Sequence, residues 1–196
     1  MWAALLASSW LLRANRGWET VGVDPSKYAS AYARERLCLK VVTGTLADLE
    51  EQSQTFDAVT LWDTIEHVPD PKAVIGDAAS FLRPGGILAL STGDVRSTMS
   101  RILRSHWRLM SYDHLYYFSE ETIGRYLENA GLSVIKVMKP GRWINPRLIA
   151  HRLMVDLAVG KRLPAVMRSV ILRLASPLPP IYRNFWDVMT VYAKKR

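Results

Sequence analysis

Phe56-Asp57-Ala58-Val59-Thr60-Leu61-Trp62-Asp63-Thr64-Ile65-Glu66-His67-Val68-Pro69-Asp70-Pro71, followed by Phe81-Leu82-Arg83-Pro84-Gly85-Gly86-Ile87-Leu88, decides the fold class. The first stretch reads as a buried strand over Phe56–Leu61, a turn carrying two carboxylates and a histidine, and a helix over Pro71–Phe81. The second closes that helix at Arg83-Pro84-Gly85-Gly86 and returns to a strand over Gly86–Ser91. Proline cannot continue a helix, and glycine accepts positive φ at small cost. Strand, helix and strand in this order make the crossover unit of a parallel sheet.

The alternation extends both ways. Further strands are expected over Glu19–Val23, Lys40–Thr43, Leu132–Val137 and Val188–Ala193. Helices are expected over Ala3–Asn15, Ser26–Arg36, Glu120–Ala130 and two stretches inside Asn145–Ala175. Ser119 is placed to cap the Glu120 helix, with acidic side chains in its positive first turn, and Gly131 to end it. The class is α/β with a mostly parallel sheet. Its 196 residues suffice for one such core with an appendage. We divide the chain into a core over 1–138, a basic helical cover over 139–185, and the last strand of the core sheet over 186–196.

Charge follows the same division. Residues 1–138 carry 14 basic and 16 acidic side chains, whereas residues 139–196 carry 12 basic and 2 acidic. A near-neutral body bearing a strongly basic quarter points to an anionic partner. The single cysteine, Cys38, cannot form an intramolecular disulfide, so a reducing, cytoplasmic setting is expected. The apolar run Trp2–Leu12 is too short to span a bilayer and reads as part of a helix.

Two places carry candidate chemistry. Val21-Gly22-Val23-Asp24-Pro25-Ser26 reads as a strand ending in a carboxylate. An acidic residue there can accept both ribose hydroxyls of an adenosine cofactor, or can instead cap the next helix. Asp63, Glu66 and His67 stand at i, i+3 and i+4, so they share one face if Asp63 opens a helical turn. His67 is then a candidate general base, or else Glu66 and His67 fix the loop by hydrogen bonds.

These motifs resemble the class I S-adenosylmethionine-dependent methyltransferases, in particular small-molecule and quinone-type members. The strand ending, the Glu66-His67-Val68-Pro69 turn and the Leu82-Arg83-Pro84-Gly85-Gly86 turn carry the likeness. So do His114-Leu115-Tyr116-Tyr117-Phe118-Ser119 and the closing Asp187-Val188-Met189-Thr190-Val191-Tyr192-Ala193. The resemblance implies a Rossmann-like sheet whose last strand runs antiparallel between its two predecessors. It implies S-adenosylmethionine as cofactor, with Asp24 on the ribose, Thr45 and Leu46 flanking the adenine, and Leu61, Trp62 and Asp63 lining the methionine side. His67 and His114 then face the acceptor as catalytic candidates. Some quinone-type relatives use an acidic pair and a histidine at the Asp63–His67 position for a divalent metal, although one histidine with two carboxylates does not itself define a metal site.

The sequence departs from the family at its N-terminus. The glycines of the family's cofactor loop would fall near Ala3, Leu5 and Ala7, and the first strand before Met1, so strand and loop are both expected to be missing. Since that strand is central, two unpaired edges are expected in mid-sheet. Trp2–Leu6 could replace it, but little more than a dozen residues would then remain before Glu19, scarcely enough for a crossover.

The segment 140–180 interrupts the sheet before its last strand. There Leu148, Ile149, Leu153, Val166, Val170 and Leu174 alternate with Arg147, Arg152, Arg168 and Arg173 at broadly helical spacing. Such basic amphipathic helices, within 145–175, suit an anionic membrane surface or a lid packed on the sheet, and nucleic acid less well. The expected function is methyl transfer to a small, apolar acceptor of quinone-like, phenolic or lipid-linked type. The rival is a degenerate fragment that binds a partner or a membrane surface.

Overall fold

A computed structural model of the chain describes residues 17–49, 56–144, 164–175 and 181–196, together with residues 150 and 179. The helix expected over Ala3–Asn15 and the first of the two cover helices lie outside these residues.

The chain runs β1 (Val21–Asp24), α1 (Lys27–Leu37), β2 (Lys40–Thr43), β3 (Phe56–Trp62) and α2 (Pro71–Ser80). It continues through β4 (Leu82–Gly93), α3 (Thr98–Leu103), α4 (Glu120–Asn129), β5 (Leu132–Met138), β6 (Arg142–Ile144), α5 (Ala165–Ala175), β7 (Ile181–Arg183) and β8 (Val188–Lys195). The caps have the expected chemistry. Asp70 caps α2 by accepting from Ala73 N–H, with Pro71 in the first turn. Ser119 and Thr122 form a reciprocal box at α4, and Gly131 follows that helix with φ +77°.

The main sheet has the order β3-β4-β8-β5. β3 and β4 are parallel, and β8 is antiparallel to both β4 and β5. The last strand therefore slots between its two predecessors, as expected. β1 and β2 form a parallel pair of their own, and β6 and β7 a short antiparallel ribbon. β1 begins at Val21, two residues later than the sequence pattern suggests, and ends on Asp24 itself. The Arg83-Pro84-Gly85-Gly86 turn lies within β4 instead of before it. Phe56 pairs with Leu82 and Ala58 with Ile87, so three extra residues bulge out of the strand around Gly85, at φ +77°. Neither α3 nor the β6–β7 ribbon has a clear sequence signal, because a two-turn helix and three-residue strands are too short to show a period.

The core lies between this sheet and α2 and α4. Leu88, Leu90, Met189 and Val191 from the strands meet Ile75, Ala78, Ile123 and Leu127 from the helices, all essentially inaccessible to water. A side chain of this kind contributes about 1.5–3 kcal/mol on burial. That packing holds β4 and β8 rigid and fixes the loops at their ends.

Candidate active site

Open α/β sheets place ligands at the carboxyl ends of their strands, and the candidate residues gather there. Asp24 ends β1, buried, with Oδ1 accepting the Ser26 amide at 2.8 Å. The capping alternative goes to its neighbour, for it is Ser26 that caps α1, through Ala29 N–H at 3.2 Å. After β2, Gly44 turns with φ +147°, a conformation L residues avoid. Thr45 N–H and Oγ1 then donate to Asp48 Oδ2 at 2.7 and 3.0 Å, which fixes the turn carrying Leu46. Thr45, Leu46 and Leu61 line a mainly apolar cavity of about 350 Å³ between β1 and β3. Asp24, Trp62 and Asp63 stand outside its lining, although Asp24 and Trp62 end the two strands that flank it.

Asp63 follows β3 with φ +46°, so it does not open a helical turn, and the shared face expected from the i, i+3, i+4 spacing is not formed that way. The following residues make a tight turn in which His67 N–H donates to Thr64 C=O at 3.0 Å. The cluster that forms is Glu66, His67 and His114, one ligand atom from each lying within 4.8 Å of the others. His114 comes from a loop 47 residues further on, which spacing around Glu66 could not reveal. Leu115 N–H donates to Glu66 C=O at 2.8 Å and Tyr116 OH to Pro69 C=O at 2.9 Å, so the two loops are stapled together.

Within the cluster the rings of His67 and His114 meet edge to face, centroids 4.7 Å apart. His67 Nδ1 lies 2.8 Å from Asp113 C=O, a contact that suits Nδ1–H as donor and leaves the lone pair on Nε2. Burial, then the neighbouring His67, pushes His114 below the usual imidazole range. Glu66 is only 4% exposed and its Oε2 has no hydrogen-bond partner. Desolvation, and secondarily the Asp63 carboxylate, raises its carboxyl above the usual range. One carboxylate oxygen and two imidazole nitrogens in this arrangement suit a divalent transition metal.

Two features that the sequence did not disclose hold the loop that carries His114 and the segments beside it. Asp187, buried just before β8, accepts from Trp107 Nε1 at 3.0 Å and from Arg108 Nε and Nη2 at 2.9 and 2.8 Å. Lys139 Nζ bridges Asp94 at 2.9 Å and Glu120 at 2.6 Å, the Glu120 bond leading in raising its pKa, and so ties the start of the cover to the end of β4. Their sequence separations hide both. In the cover, α5 exposes Val166, Val170 and Leu174 on one side. Among the described residues no helix is long and apolar enough to cross a membrane.

The fold and these strand ends define a Rossmann-like α/β class of protein. The chain belongs to the methyltransferase domain family, whose model matches residues 2–137. It is 31% identical over 162 residues to a ubiquinone biosynthesis O-methyltransferase of Alkalilimnicola ehrlichii, a match covering 75% of this chain and 64% of that protein. The match thus spans somewhat under two thirds of that relative. Among solved structures, an S-adenosylmethionine-dependent methyltransferase of Archaeoglobus fulgidus superposes with a TM-score of 0.60 at 17% identity, covering 96% of this chain and 82% of that one. One from Thermotoga maritima gives 0.58 at 20% identity, covering 90% and 73%. At such identities these structures speak for the fold, a Rossmann-like methyltransferase sheet.

Proposed function

We propose that this chain transfers the methyl group of S-adenosylmethionine to a hydroxyl oxygen of a small, apolar acceptor of quinone-like, phenolic or lipid-linked type. The observation that carries this reading is the convergence of Glu66, His67 and His114 beyond the carboxyl end of β3. The naming of relatives as ubiquinone biosynthesis O-methyltransferases supports oxygen as the acceptor atom.

Asp24 would hold the cofactor ribose, Thr45 and Leu46 the adenine, and the backbone at Leu61, Trp62 and Asp63 the methionine part. The acceptor hydroxyl gives its proton to Nε2 of His67, whose Nδ1–H is held by Asp113 C=O. The oxygen then displaces the sulfonium in line: the O–C bond forms, the C–S bond breaks, and S-adenosylhomocysteine leaves. His114, kept neutral by burial, packs against His67 and orients it. A divalent ion held by Glu66, His67 and His114 would occupy Nε2 of His67 and, in place of the base, lower the pKa of the acceptor hydroxyl. The basic cover, within 145–175, would rest on anionic lipid and admit an apolar acceptor from it. A cytoplasmic chain peripheral to the membrane suits that role.

Transfer of labelled methyl to a prenylated catechol tests the reading. His67→Ala should lower kcat by about 10²–10⁴ while leaving cofactor affinity unchanged. An unchanged kcat would overturn the assignment of the base. Activity indifferent to chelator would remove the metal and leave the histidines.

A further inference from the structure

Ser111 lies at the centre of the loop that brings His114 to Glu66 and His67, and its bonds run in three directions. Its carbonyl accepts the His114 N–H at 3.2 Å and the Tyr117 hydroxyl at 3.1 Å. Its own hydroxyl donates to Asp113 Oδ1. Asp113 in turn faces His67 twice: its carbonyl oxygen lies 2.8 Å from Nδ1, and its Oδ2 lies 3.7 Å from the same nitrogen. Tyr117 also leans on His114, ring centroids 6.1 Å apart. None of these residues belongs to a helix or strand, so it is these bonds that give the turn its shape. Ser111 and Tyr117 are both exposed, and packing in the core does not account for them.

The turn decides which nitrogen of His67 can act. A neutral imidazole carries its proton on one nitrogen and offers a lone pair on the other. A carbonyl can only accept, so the contact with Asp113 places the proton of His67 on Nδ1. The Asp113 carboxylate on the same side attracts that N–H as well. Nε2 is then the nitrogen left to take a proton from the acceptor or to hold an ion. Relaxing the 111–114 turn releases Nδ1 and lets the proton move to Nε2, which blocks the nitrogen that both roles need.

We propose that Ser111 and Tyr117 are positioning residues: together they hold Asp113 on Nδ1 of His67 and so fix the tautomer in which Nε2 is free. Both act through Asp113 and not on the acceptor. The use made of this tautomer rests on the methyl-transfer reading, whereas the tautomer itself does not.

Nitrogen NMR of the full 196-residue chain, labelled at its four histidines, tests the assignment. At about pH 8 with chelator present, the imidazoles are neutral and no ion intervenes. His67→Ala identifies the signal. Unaltered His67 should show a protonated Nδ1 and an unprotonated Nε2. Ser111→Ala and Tyr117→Phe should each move it towards the Nε2–H form, and Ser111→Thr, which keeps the hydroxyl, should hold the first pattern. Tyr117→Phe removes a single bond and serves alone if Ser111→Ala does not fold. In the methyl-transfer assay Ser111→Ala should lower kcat about 10–100-fold with KM for the cofactor unchanged, and Ser111→Thr should recover it. An unprotonated Nδ1 in the unaltered chain would overturn the proposal. So would an Nδ1–H form that persists in both Ser111→Ala and Tyr117→Phe. The expected tautomers without any methyl transfer would sink the functional reading and leave this assignment standing.

Discussion

Asp63 and Ser91 hold each other across the β3–β4 pair: Asp63 N–H donates to Ser91 Oγ at 2.9 Å, and that hydroxyl donates to Asp63 Oδ1 at 2.8 Å. The exchange secures a positive-φ aspartate, a costly backbone state for an L residue, where β3 turns towards Glu66 and His67. Ser91→Ala should therefore cost about 0.5–1.5 kcal/mol by thermal unfolding, because Asp63 loses the hydroxyl while its N–H keeps Ser91 C=O at 3.2 Å. Exchange at Thr64–His67 should rise more than in α4. A loss spread evenly over the molecule would mean that the pair does not act locally.

Glu66 gives the clearest pH dependence. Its carboxyl is raised in the folded state, so between the ordinary carboxylate range and that raised value the folded chain binds more protons than the unfolded one. Stability then rises as pH falls through the raised pKa. Glu66→Gln should stabilise the protein at pH 7–8, by about 1–3 kcal/mol if the burial penalty is relieved. The difference should vanish below about pH 4.5, where both states are protonated. If a divalent ion occupies the cluster, the same change should abolish the stabilisation that added metal confers on the unaltered chain.

His114 works in the opposite sense. Its pKa is lowered by burial and by His67, so stability should fall as pH drops below about 6.5, the unfolded value, and level off beneath the folded one. His114→Asn should flatten that decline in thermal scans from pH 7.5 to 5. A decline of unchanged slope would assign the proton uptake to another group.

Much of this arrangement was legible in the sequence because it is local or periodic. The Pro71 start, the Ser119 cap and the terminal strand each follow from neighbouring residues. The joining of Glu66 and His67 to His114 was not legible, since it depends on a 47-residue return of the chain. Asp187 with Trp107 and Arg108 likewise spans about 80 residues. The spacing argument for Asp63 failed for a definite reason: it assumed helical backbone, and Asp63 has φ +46°.

Asp187 should be among the most sensitive positions outside the sheet core. Asp187→Ala strands a buried indole N–H and half-buried Arg108 together, so a loss of about 3–5 kcal/mol is expected, the cost of removing one partner of a buried pair. Asp187→Asn retains an acceptor for Trp107 and should lose less. Urea unfolding of the two variants compares them directly, and equal losses would mean that charge, not the indole bond, dominates.

The last prediction concerns the cofactor. In the proposed site Asp24 and the Thr45–Leu46 turn would supply one half of the nucleoside contacts, whose charged hydrogen bonds would contribute about 1.5–3 kcal/mol. Millimolar affinity already requires about 4 kcal/mol. Residues 2–16 carry no glycine and so offer none of the close backbone approach that glycines permit. Calorimetry should therefore find S-adenosylmethionine bound at millimolar strength or weaker. A variant in which residues 1–9 are replaced by a strand ending in Asp-x-Gly-x-Gly should bind it micromolar, and Asp24→Ala should then weaken binding at least tenfold. Micromolar binding by the unaltered chain would show that a segment without glycine suffices. Millimolar binding by the glycine variant would place the cofactor elsewhere than at the carboxyl ends of β1 and β3.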